Sequence, residues 1–281
     1  MGMSRLRRGL ALPRFAGAAA LAATMGMVPL ALDAQAPQTQ APPPKPGTAA
    51  AAKPAAENLP SAKSLIAKYI AAIGGREAIL SHSSTHSTGT FTVASAGMTG
   101  SIELFAAKPN KSLVKITIPG VGEITEGFDG TNGWTISPMT GPMLLQGKQL
   151  EEKRFDTDFY GELHDASRYE SMTTVERTDF DGRPCYKVRL VRKNGGEDFE
   201  FYDVTTGLKV GRIATRETQM GTVTGTAVET DYRKFGKLLL PGTIKNSLMG
   251  VQQVITIQTI EYDAVPASAF EPPAEIKALI K

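Results

Sequence analysis

Three histidines and one cysteine are the first residues to test for chemistry in this chain. His82 and His86 stand four apart, a spacing that on a helix puts two imidazoles on one face as metal ligands. The residues between them are Ser83-Ser84-Thr85. No glutamate stands ready as a base and no third ligand is in view, and the segment reads as loop or strand, where that spacing loses its meaning. A solvated polar segment is the expectation. His164-Asp165 pairs a base with a carboxylate, but adjacent residues do not face each other and no G-x-S-x-G nucleophile motif accompanies them. Cys185 has no partner for an internal disulfide and falls in a strand-like run, as a small buried hydrophobe. Arg212, Arg216 and Glu217 lie on a threonine-rich run that ends at Asp231-Tyr232-Arg233, and a solvated strand face accounts for them. The sequence therefore assigns no catalytic residue, no metal and no cofactor. The function class it favours is a non-enzymatic binding protein.

The elements that position these residues begin after an export signal. Arg5, Arg7, Arg8 and Arg14 form a positive start, residues 15–32 are apolar and alanine-rich, and Ala34-Gln35-Ala36 offers a small-x-small cleavage site, with a cut after Ala34 as the alternative. The stretch nearly reaches the roughly 18 apolar residues that a membrane span needs, so an uncleaved anchor is the competing reading. No cysteine lies at the cleavage region, which excludes an acylated N-terminus. The full chain carries 31 Lys+Arg against 28 Asp+Glu, but residues 1–36 hold four of the arginines and one aspartate, leaving 27 of each. A neutral mature chain has no basic stripe for nucleic acid. Residues 37–60 are Pro/Ala-rich and poor in large apolar side chains, the composition of a flexible tether. Residues 61–281 make the folded unit.

One helix is expected over residues 61–73, with Leu65, Ile66, Tyr69, Ile70 and Ile73 on one face, Ser61 as cap and Gly74-Gly75 as stop. A short second helix is expected over residues 76–80. The period then changes to two. Phe91 and Val93, Ile102 and Leu104, Val114, Ile116 and Ile118, Tyr186, Val188 and Leu190, and Phe199 and Phe201 each alternate with polar neighbours, the last pair against Asp198 and Glu200. That is the pattern of an antiparallel sheet with one buried face. Ala96-Gly97, Lys108-Pro109-Asn110, Asp181-Gly182, Asn194-Gly195-Gly196 and Thr206-Gly207 supply frequent turns, which favours hairpins over crossovers. A helical interruption over residues 148–160, dense in charge, has Leu150, Phe155 and Phe159 as apolar anchors and suits a cover over the sheet. In Met139, Pro142, Met143, Leu144 and Leu145, soft methionines suit a cavity that adapts to a flexible ligand. Ordinary core packing is the plainer reading.

Three motifs then fall in order. Asp129-Gly130-Thr131-Asn132-Gly133-Trp134 with Pro138 resembles the D-G-x-x-x-W…P hairpin of periplasmic lipoprotein carriers of the LolA/LolB type. Tyr202-Asp203-Val204-Thr205-Thr206-Gly207-Leu208 is similar to a Y-D-x-x-T-G-L hairpin of that superfamily and of RseB-type regulators. Phe270-Glu271-Pro272-Pro273 resembles the F-x-P-P closing segment of the carriers. The resemblance spans residues 61–281. It implies a mainly β (α+β) fold: an incomplete antiparallel half-barrel of about ten to eleven strands, curled around the N-terminal helix and the short mid-chain cover. An apolar cavity would lie between sheet and helices, with Val93, Ile102, Leu104, Ile116, Ile118, Trp134, Ile136, Met139, Met143, Leu145, Phe199 and Phe201 expected to line it. The carriers place an arginine inside that cavity, and the motifs do not assign an arginine of this chain to that place. The implied function is a periplasmic protein that holds an acyl chain or other lipid-like ligand, in lipid or lipoprotein trafficking to the outer membrane. Its partners would be a lipid or acylated protein and an envelope protein, with peripheral membrane contact and a monomeric state. The alternative is an RseB-like sensor of envelope stress, or a docking module without bound lipid.

Overall fold

The computed structural model describes residues 58–218 and 221–280; the export stretch and nearly all of the tether lie outside them. The helices are α1 (Ala62–Ala72), α2 (Arg76–Leu80), α3 (Gly147–Asp156) and α4 (Ala274–Lys277). The strands are β1 (Ser84–Val93), β2 (Met98–Ala107), β3 (Lys111–Ile118), β4 (Gly122–Phe128), β5 (Gly133–Ser137), β6 (Gly141–Leu144), β7 (Tyr169–Phe180), β8 (Arg183–Arg192), β9 (Glu197–Asp203), β10 (Lys209–Thr218), β11 (Gly221–Phe235), β12 (Leu238–Leu248) and β13 (Val251–Tyr262). All thirteen form one antiparallel sheet in the order β6-β5-β4-β3-β2-β1-β13-β12-β11-β10-β9-β8-β7. The strand count exceeds the ten to eleven expected, because the short β5–β6 hairpin and the polar β7 carry too little alternation to announce themselves.

The order explains the cover. Two meanders, β1–β6 and β7–β13, meet where β1 pairs with β13, which leaves β6 and β7 as the outer strands and the sheet unclosed. The connection between those two edges carries α3 and two short 3₁₀ turns, Gly161–Leu163 and Ala166–Arg168, so it crosses the sheet. Local chemistry sets the element ends as expected. Ser61 caps α1, its Oγ accepting from the Ser64 amide at 3.2 Å, and Gly74 and Gly75 stop it at φ 125° and 89°. In both motif hairpins an aspartate closes the turn. Asp129 Oδ1 accepts from the amides of Thr131 (2.7 Å) and Asn132 (2.6 Å), and Asp203 Oδ1 accepts from those of Thr205 (2.9 Å) and Thr206 (2.7 Å).

Each face of the sheet is partly buried, which the single-face expectation missed. On the covered face, Leu65, Ile66 and Tyr69 of α1, with Ile73 just after it, share a core with Phe91, Ile102, Ile116, Leu240, Ile255 and Ile257. On the opposite face, Leu113, Trp134, Phe270 and Ile276 form a second core, with the C-terminal segment as its lid. A third, formed by Cys185, Phe201 and Val210, lies under Phe180, whose ring stacks on Phe201 at 3.9 Å. Burial, and then Asp203, push the Cys185 thiol up to about 11. Strand register fixes these sides. Leu104, Val114, Glu126, Thr135 and Met143 fall in one row, and Phe105, Leu113, Gly127, Trp134 and Leu144 fall in the adjacent row on the other face.

Gly127 lies flat against the Trp134 indole, where a β-carbon would overlap the ring. Gly127→Ala is expected to cost about 3 kcal/mol, the upper end of overpacking penalties. The loss should shrink in a Trp134→Leu background, as urea denaturation of the two single variants and the double variant will measure.

Candidate ligand-binding site

The cover is held by charge. Within α3 the buried side chains are Glu152, Lys153 and Asp156, whereas Phe155 and Leu150, expected as anchors, are only half-buried. Phe159, just beyond, is buried. Each buried charge meets the covered face of the sheet. Lys153 Nζ donates to Glu126 Oε1 on β4 at 2.6 Å. Asp156 receives Arg216 of β10 through both oxygens, from Nη2 at 3.2 Å and from Nε at 3.3 Å. The same guanidinium grips Asp198 of β9, with Nη2 3.3 Å from Oδ2 and Nη1 on Oδ1. Arg216 thus clamps a helix and a strand together through two forks. Arg192 of β8 lies beside it, with Nε 3.6 Å from Asp198, Nη2 4.0 Å from Glu152 and its guanidinium 5.2 Å from the Phe155 ring centre. Burial on its own would raise the Asp156 carboxyl, but Arg216, with Arg212 and Arg192 behind it, holds it below the ordinary value.

A second network fills the neighbouring space under the Gly161–Leu163 turn. Lys209 Nζ lies 2.7 Å from Glu162 Oε1 and 3.5 Å from Glu229 Oε1. Tyr232 donates to Glu229 Oε2 at 2.8 Å, and Tyr202 donates to Glu200 Oε2. His164 stands between two acceptors, Nδ1 2.8 Å from the Glu162 carbonyl and Nε2 2.8 Å from Glu200 Oε2. Both ring nitrogens face acceptors, so the ring satisfies its contacts as an imidazolium. Burial pulls its pKa down, but Glu200 and then Glu162 outweigh burial and raise it above the ordinary value. Glu200 moves the other way. Burial opposes its charge, yet His164 and Lys209 hold it far below the usual carboxylate range.

Strand register explains how so many charges face inward. Asp198, Glu200 and Tyr202 share the covered face of β9, opposite Leu190, Val188 and Tyr186 of β8. On β10 a bulge at Val210 and Gly211 lets both Lys209 and Arg212 face the cover, followed by Ala214 and Arg216. The expected solvated face for Arg212 and Arg216 is therefore corrected: both are buried, at 4% and 2% exposure. Phe199 and Phe201 are corrected too, since they face away from the cover, into the third core.

The other expected lining residues divide similarly. Val93, Ile102, Leu104, Ile116 and Ile118 all lie in the main core with α1. Trp134 and Ile136 belong to the opposite face under Phe270, and Met139 is exposed in the β5–β6 turn. Met143 and Leu145 are half-buried, Met143 in the covered-face row and Leu145 against Gly133. His82 and His86, expected in solvent, each hold a carboxylate: Asp263 at 2.9 Å and Glu103 at 3.0 Å. Sequence reasoning missed the charged residues of the covered face altogether. The available signal was that Asp198, Glu200 and Tyr202 keep the same strict alternation as Phe199 and Phe201.

Solved structures supply the comparison for this arrangement. A DUF1329 family protein from Desulfovibrio piger aligns with a TM-score of 0.52 at 13% identity, over 75% of this chain and 97% of that one. A LolA superfamily protein from Nitrosomonas europaea aligns with a TM-score of 0.51 at 13% identity, over 76% of this chain and 99% of that one. The fold is LolA-like. No protein-family model matches the chain, and no curated protein sequence does either. At this identity the likeness is one of architecture; in this chain the three motif segments form two tight hairpins and a closing segment whose Phe270 is buried.

Arg216→Met leaves Asp156 and Asp198 buried without their shared cation, and is expected to destabilise the protein by about 3–5 kcal/mol in urea denaturation. The His164–Glu200 contact gives a pH signature. A raised histidine contributes stability that is complete below the unfolded value near about 6.5 and is lost as pH climbs through the folded one. Glu200, being depressed, stays ionised across this window. Stability measured from about pH 5 to about pH 9 should therefore fall on the alkaline side in the wild type, and His164→Gln should flatten that fall.

Proposed function

We propose that this chain is a non-enzymatic binding protein of the cell envelope, exported to the periplasm, that holds an acyl chain or other lipid-like ligand on the covered face of its sheet. The observation that carries the reading is the division of that face. One half, on β1–β3 and β13, presents Val93, Ile102, Leu104, Ile116, Ile118 and Ile255. The other half, on β8–β11, presents Arg192, Asp198, Glu200, Lys209, Arg212, Arg216 and Glu229. An amphiphile has the matching division, a chain for the apolar half and a polar head for the charged half. Each buried methylene contributes about 0.8 kcal/mol, enough for a long chain to be held without covalent chemistry.

The seam under α3 suits such a cargo. When an apolar seam opens it exposes hydrocarbon to water. When a seam of ion pairs opens its charges are rehydrated, and the attraction between them and their desolvation cost nearly cancel. A cover held this way is specific in its seating and inexpensive to lift. The export stretch at residues 1–36 and the motif resemblance to LolA/LolB-type carriers support a place in lipid or lipoprotein trafficking.

Lipid analysis tests the reading. The full chain, purified from its native envelope and extracted with organic solvent, is expected to yield lipid by mass spectrometry at about one molecule per chain. Protein that emerges without lipid, takes none up from vesicles and instead holds an envelope protein in pull-down would replace the carrier with a docking module.

A further inference from the structure

Where the apolar and charged halves of the covered face meet, the sheet presents a patch of very short residues. Ala214 of β10 stands opposite Gly225 of β11, and Gly225 stands opposite Leu248 of β12. One pair further along, Ala227 of β11 stands opposite Asn246 of β12. Neighbouring strands are about 4.8 Å apart, so the patch is roughly 10 Å across from β10 to β12. The Asn246 side chain borders it. It is 4% exposed, and neither Oδ1 nor Nδ2 has a hydrogen-bond partner in the protein. Its neighbours on the same face of β12 are Ile244 and Leu248, which have no polar group to offer. A buried amide with both ends unpaired calls for a partner that can donate as well as accept.

Charge decides what kind of partner can enter. Among the described residues seven carboxylate side chains are buried, against five lysines and arginines, with His164 as a sixth cation. Arg212, opposite Ala227, is itself engaged. An anionic head would add negative charge where carboxylates already match the cations, and its burial would go uncompensated. We propose, building on the acyl-ligand reading above, that Asn246 binds the head of a neutral acyl lipid over Ala214, Gly225 and Ala227, a head that carries an amide or a hydroxyl group. Nδ2 donates to the carbonyl or hydroxyl oxygen of that head, and Oδ1 accepts its N–H or O–H. The chain has its track on the same strands, since Ile244 and Leu248 flank Asn246 on β12 and Ile255 follows Gln253, its opposite residue on β13. A head that only accepts would leave Oδ1 unpaired, which is the basis for selection.

The test is a calorimetric titration of the full chain with monooleoylglycerol, oleamide, methyl oleate and oleate, in wild type, Asn246→Leu and Asn246→Ala. The wild type is expected to bind monooleoylglycerol or oleamide about tenfold tighter than methyl oleate or oleate, and both variants to lose that preference while still binding methyl oleate. Tighter monooleoylglycerol would identify a hydroxyl-bearing head, and tighter oleamide an amide. Asn246→Leu replaces an unpaired buried amide by an apolar side chain of the same branching, so it should melt at or above the wild-type temperature, which separates lost selectivity from lost folding. Methyl oleate or oleate binding the wild type as tightly as the other two, or variants that keep the preference, would overturn this subsite and leave the acyl-ligand reading standing. Failure of the wild type to bind any of the four would overturn both.

Discussion

Arg216 is the group on which the arrangement of this protein turns. Its planar guanidinium reaches Asp156 on α3 and Asp198 on β9 from its own place on β10, so one side chain joins the helical cover to two strands. The topology makes this junction necessary. The sheet's two outer strands, β6 and β7, are linked only by the segment that carries α3, and that helix buries three charged residues against the sheet. Without partners on β4, β8 and β10 those charges would have to face water, and the cover would have no reason to lie on the sheet.

The two faces divide the labour. The face under α1 and α3 is amphipathic from side to side, apolar toward β1–β3 and charged toward β8–β11. The opposite face carries two smaller cores, one closed by Phe270 and Ile276, the other by Phe180 stacked on Phe201. Burying Trp134 and the phenylalanines of β9 on that opposite face leaves the covered face free to use β9 and β10 for polar groups. The LolA-like scaffold therefore carries in this chain an interior whose charge is as organised as its hydrocarbon.

Local signals in the sequence were legible. Helix α1 with its serine cap and glycine stop, both aspartate-closed hairpins and the inward alternation of β1, β2, β3 and β8 follow from period and turn chemistry alone. What was not legible has a common cause. Alternation gives a strand two sides but does not say which side the cover takes when both are buried, and aromatic Phe199 and Phe201 read as the inward pair. Arg212 and Arg216 read as solvated because a strand charge ordinarily is, and only a partner helix 60 residues away in sequence changes that. The charges of α3 and of β9–β10 complement each other across that distance, a relation that no local window contains.

The proposed function requires that ligand bind beneath the α3 cover, on the face that Arg216 ties to it. Hydrogen exchange followed by mass spectrometry, on the full chain with and without an acyl-chain ligand, reads that claim directly. The account predicts slower exchange in α3 and in β10–β12 when ligand is bound, with the C-terminal α4 and the strands beneath it unchanged. Protection confined to α4 and β5–β6, with α3 exchanging at the same rate in both states, would contradict it.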